Sequence, residues 1–149
     1  MHNLYRESDV QKIVERLEKL SPEAERQWGT MDVAQMLAHL NTFLEVGLNK
    51  RFEKRMLLGR IIGGFFKKRY TSKKPFSQNS PTGKSFKITK PKDFETEKSK
   101  AIALVCEFYT NGPEKCTKQP HQFFGYLSPN EWAIVQWKHF DHHLRQFNV

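Results

Sequence analysis

Apolar residues recur at every third or fourth position along most of this chain, and no stretch alternates apolar with polar as a half-buried strand would. That period selects helices before any motif is considered. Val10, Ile13, Val14, Leu17 and Leu20 mark one face of a helix from Ser8 to Leu20, with Ser8 and Gln11 as a capping box and Ser21-Pro22 as its stop. A second helix is predicted from Thr30 to Leu48, with Thr30 as its cap and Asp32 in its first turn. Its apolar face is Val33, Met36, Leu37, Leu40, Phe43 and Leu44.

Met56 to Tyr70 reads as a shorter amphipathic helix weakened by Gly59, Gly63 and Gly64. Thr71 to Lys92 is a long irregular connection, of a length that suggests it covers something. Asp93 caps a helix to Asn111, ended by Gly112-Pro113. Ser128, Pro129 and Glu131 then open a last helix to Phe147. Four main helices and one short piece make a single all-α domain over residues 1–149, expected to be a four-helix bundle with long irregular connections.

Composition limits the alternatives. With 38% apolar and 13% aromatic residues the chain can build a core, which excludes wholesale disorder. Its longest apolar stretch, Met56 to Phe66, has 11 residues and contains Arg60, too short to span a bilayer. The first residues lack the apolar run of a secretory signal, so a cytoplasmic protein without a membrane partner is expected. Cys106 and Cys116 form no disulfide or zinc pattern; both read as reduced thiols, Cys106 in the core. His2 falls in a terminus expected to be disordered. The formal charge is +9, and Lys50 to Lys100 holds 16 Lys and Arg against four acids. Such a block suits phosphates, acidic lipid heads or an anionic substrate, but it contains no nucleic-acid recognition motif, so nucleic acid is not the expected partner.

The chemistry concentrates in histidines. His139 and His143 lie about 40° apart on the last helix, one turn from each other, and can share one metal ion. They point about 20° to either side of Trp132, at the edge of the apolar face. His142 turns about 80° away, towards Lys138 and Glu131 on the expected wet side. His39 borders the buried stripe of the second helix, so it can supply a third ligand from a facing helix. A three-histidine site leaves a coordination position open, and its ligand type suits zinc, nickel, iron or copper.

Two segments then carry a resemblance. Trp28-Gly29-Thr30-Met31 with Met36-Leu37-Ala38-His39-Leu40, and Trp137-Lys138-His139-Phe140-Asp141-His142-His143-Leu144-Arg145-Gln146-Phe147, resemble the DinB-like (YfiT-like) metalloprotein superfamily. Together with His121-Gln122-Phe123-Phe124-Gly125-Tyr126-Leu127 they look like a small bacterial branch catalogued as a domain of unknown function. The likeness runs from about residue 20 to the end. It implies a four-helix bundle of DinB type with a divalent metal (zinc, nickel or iron) on His39, His139 and His143. His121, His142, Trp132 and Gln136 are candidates for substrate contact or for supporting the ligands, with His121 read first as an anchor of its loop. Characterised relatives include transferases and isomerases that use bacillithiol, mycothiol or glutathione.

The resemblance therefore implies a metal-dependent thiol transferase or hydrolase, with a low-molecular-weight thiol cosubstrate and a small-molecule acceptor. Homodimers are common in the superfamily, and Met56 to Phe66 is the candidate interface. The alternative reading is a non-catalytic bundle that binds an acidic partner or nucleic acid through its basic middle segment.

Overall fold

A reciprocal capping box opens the last helix: the Ser128 hydroxyl accepts from the Glu131 N–H, and the Glu131 carboxylate accepts from the Ser128 N–H. In the computed structural model, which describes every residue from Met1 to Val149, this is α5, Pro129–Gln146. Before it come α1 (Glu7–Glu18), α2 (Val33–Gly47), α3 (Leu57–Tyr70) and α4 (Phe94–Asn111). Single turns of 3-10 helix occupy Lys84–Phe86 and Pro113–Lys115, and there is no strand. The all-helical expectation holds. No helix is long and apolar enough to cross a membrane.

The caps explain where the helices begin. Asp93 accepts from the Thr96 N–H at the start of α4, and Gly112 ends that helix at φ +64°, a conformation glycine tolerates. Two expected caps are corrected. Asp32, not Thr30, caps α2, because Asp32 and Gln35 satisfy each other's backbone N–H groups. Ser8 lies inside α1, whose N-cap is Arg6 without a side-chain bond. Asp9 organises that end instead: its buried carboxylate takes the Asn3 N–H and pairs with the His2 ring. His2 also stacks on Trp137, so the expected disorder is not seen there.

α1 and α2 each pack on both α4 and α5. Ile13 and Leu17, Met36, Leu40 and Leu44, Ala101 and Val105, and Trp132, Phe140 and Leu144 meet in one core. Each large side chain buried there contributes about 1.5–3 kcal/mol. Cys106 was expected in this core but is exposed, whereas Cys116 is buried. Cys106 turns about 140° away from Ala101 around α4, so it faces away from Ala101 and Val105.

α3 lies outside this arrangement, and its glycines explain how. Gly59 and Gly63 are its buried residues. They rest on the backbone of Phe123; a Cβ at Gly59 would sit 2.6 Å from the Phe123 Cα, and one at Gly63 would overlap the Phe123 carbonyl oxygen. What reads in sequence as helix weakening is thus a groove for the 121–125 turn. Met56 N–H donating to the Gln122 carbonyl and Arg55 donating to the His121 carbonyl add to the seam.

Candidate metal centre

His39 projects from α2, and His139 and His143 project one turn apart from α5, the pair facing inward as their spacing predicts. One nitrogen from each ring lies within 4.8 Å of those of the other two, and all three side chains are buried. His39 Nε2 and His139 Nε2 are 2.9 Å apart. The rings stand at 74–75° to one another with centroids 4.8–4.9 Å apart, so they converge edge-on rather than stack.

Neighbouring groups set two of the tautomers. His39 Nδ1–H donates to the Phe86 carbonyl at 2.8 Å, which leaves its Nε2 as a lone pair. His143 Nδ1–H donates to Gln146 Oε1 at 2.7 Å. The Gln146 amide is itself oriented by donating from Nε2 to the Trp28 carbonyl at 2.6 Å, so His143 also keeps a free Nε2. His139 has a buried Nδ1 without a partner, while its Nε2 faces that of His39. Two imidazole lone pairs cannot face each other at that spacing without a proton or a cation between them. A neutral His139 meets this by donating Nε2–H to His39 Nε2, and a cation shared by the rings would take the place of that proton, so the three histidines could hold a metal ion.

The electrostatics point the same way. Burial lowers all three proton affinities: His143 falls to about 3, and His139 falls well below the usual histidine range, pushed further by the neighbouring imidazoles. The three are neutral at pH 7, the form that binds metals.

Two corrections concern residues flanking the site. His142 was expected on the wet side but is buried. Trp28, from the segment before α2, and Phe76, from the connection after α3, close over it, with ring centroids at 5.5 and 6.2 Å. Lys138 is buried beside it, its Nζ donating to the Tyr70 and Ser72 carbonyls at the end of α3. No helical wheel of α5 contains those covering segments.

His121 does not join the three. Its Nδ1 accepts from the Phe123 and Phe124 N–H groups, and its backbone pairs with Gly125 in a tight turn. Burial and the Arg55 guanidinium lower it to about 3. Trp132 is fully buried under Phe43 and His121, with its Nε1 unpartnered. Gln136 Nε2 donates to the Phe43 carbonyl and so ties α5 to α2, with no hydrogen bond to an imidazole. Sequence reasoning missed Gln146, although its place three residues after His143 is a readable signal. It also missed Phe86, a buried residue in an irregular segment, which carries no periodic signal at all. Through Phe86 the 71–92 connection covers His39.

A protein-family model described as protein of unknown function (DUF1569) matches residues 4–149. The chain belongs to that family. Across the DUF1569 match lie all three converging histidines, the Gln146 amide and the Phe86 carbonyl. No curated protein and no solved structure matches the chain.

Proposed function

We propose that this DUF1569 protein is a helical bundle of the DinB type that holds zinc, nickel or iron on His39, His139 and His143 and transfers a low-molecular-weight thiol to an electrophilic small molecule. One observation carries the reading: three buried, neutral imidazoles from two helices converge, two of them with tautomers set by outside partners. The packing of α1 and α2 on both α4 and α5 supports the bundle. The sequence resemblance supports the thiol chemistry.

When bound, such an ion supplies the Lewis acidity that keeps a thiol in its thiolate form at neutral pH. The protein's own groups prepare the place. The Phe86 carbonyl and Gln146 hold the two imidazoles in their ligating tautomer. Trp28 and Phe76 keep water from the His142 side. Lys84 and Lys87, exposed on either side of Phe86, offer cations to the carboxylates of a thiol cosubstrate. A transfer of this class joins the thiol sulfur to the electrophilic carbon while the leaving group departs with its electron pair and the thiol proton passes to solvent.

Elemental analysis of purified protein tests the site. Near-stoichiometric metal in the parent, lost in both His39→Ala and His143→Ala, is the expected result. With metal loaded, thiol-dependent consumption of an electrophile should stop on chelation. Folded protein that stays metal-free and refuses added divalent ions would overturn the reading.

A further inference from the structure

The outer face of α3 is apolar and uncovered. Leu57, Leu58, Ile61 and Phe65 are 79%, 55%, 80% and 92% exposed. At about 100° per residue these four fall within roughly 100° of the helix circumference. They form one stripe rather than scattered surface residues, the kind of patch that marks an interaction site. Its orientation is built in. Gly59 and Gly63 lie on the opposite side, pressed to the Phe123 backbone, so α3 cannot roll its stripe inward without driving side chains into that turn.

The charge along the segment that carries the stripe is of one sign. From Lys54 to Lys92 there are 12 Lys and Arg and no Asp or Glu. On α3 itself, Lys67 pairs with Glu131, whereas Arg60, Lys68 and Arg69 form no ion pair. Arg60 and Arg69 border the stripe and Lys68 sits at its end, where long aliphatic stems can lie along apolar surface with their charges raised to head-group level.

We infer that α3 lies flat on an anionic lipid surface, with Leu57, Leu58, Ile61 and Phe65 in the acyl boundary and the neighbouring Lys and Arg on lipid phosphates. An apolar stripe flanked by cations is the chemistry of an interfacial helix, which binds along a membrane without crossing it. This departs from the expectation of no membrane partner, which considered a spanning segment and a secretory signal but not a helix lying along the surface. A second copy fits less well: a two-fold contact lays the same patch on itself, and here that sets cations against cations with no acid between them. A nucleic acid would use the cations and leave the four apolar side chains in water. The inference stands on α3 alone and is independent of the metal site.

Co-sedimentation with vesicles tests it. The parent should pellet with vesicles of equal parts phosphatidylcholine and phosphatidylglycerol, and stay in solution with phosphatidylcholine alone. Ile61→Ser with Phe65→Ser should weaken pelleting by roughly tenfold or more at unchanged charge. Arg60→Gln and Lys68→Gln should each weaken it about fivefold. All four positions are exposed, so helical circular dichroism should be unchanged. The inference is overturned if the parent ignores anionic vesicles, or if the apolar variant binds them as the parent does. It is equally overturned if sedimentation shows a dimer that Phe65→Ser dissolves, since a second copy would then cover the face.

Discussion

The facing sides of α2 and α5 and the outer side of α3 invert the usual order of polarity. Between α2 and α5, three histidines are buried beside Phe43 and Phe86, and each ring is held by a neighbour or by another imidazole. On α3, four large apolar side chains stand in solvent, and glycines do the packing. Neither region is explained by stability. Burying polar rings needs partners to offset desolvation, and exposing apolar stripes forgoes burial. The first is where the three histidines could hold a metal ion, and the second is the stripe proposed above to meet lipid.

The sharpest test of that contrast is truncation on each side. Phe108→Ala, in the core against Tyr5, should cost about 3–5 kcal/mol. Ile61→Ser with Phe65→Ser should change stability by no more than about 0.5 kcal/mol per site, because those side chains gain nothing from folding. Urea unfolding of both variants reads the difference directly; comparable losses would mean that the α3 stripe is packed after all. Next in size is Gly63→Ala. The added methyl overlaps the Phe123 carbonyl, so α3 and the 121–125 turn must separate, at about 1–3 kcal/mol. Hydrogen exchange should show faster opening of α3 than in the parent, with α2 and α5 protected as before.

A smaller effect concerns protons. His121 has its affinity lowered from the ordinary 6.5 to about 3 by burial and by Arg55. The folded state therefore binds fewer protons than the unfolded state below pH 6.5. The stabilising contribution of neutral His121 is complete above that pH and is lost as pH falls towards 3. The slope is at most about 1.4 kcal/mol per pH unit for one group. His121→Asn should flatten the fall in urea midpoint between pH 6.5 and 5 relative to the parent. An unchanged slope would assign the acid sensitivity to the other buried histidines.

Much of the helix pattern was legible because it is local. Ser128 with Glu131, and Asp93 with Thr96, meet within one turn, so the starts of α5 and α4 could be read without a fold. At α1 the local signal misled: Ser8 and Gln11 have capping-box spacing, yet Asp9 makes the decisive contacts with residues before the helix. The candidate site was legible for a similar reason. His139 and His143 share a face by helical spacing alone, and His39 borders an apolar stripe that had to turn inward.

By itself, then, the sequence determined that this protein is helical, where most of its helices start and stop, and that His139 and His143 share one helix face while His39 borders the buried stripe of another. Only the tertiary structure decided what surrounds them. Phe86 reaches His39 from 47 positions away, and Trp28 and Phe76 bury His142 from outside its helix. The groove of Gly59 and Gly63 for Phe123 leaves the apolar side of α3 uncovered. The physical reason is that periodicity records which side of a helix is apolar, whereas burial also depends on which distant segment comes to lie on it.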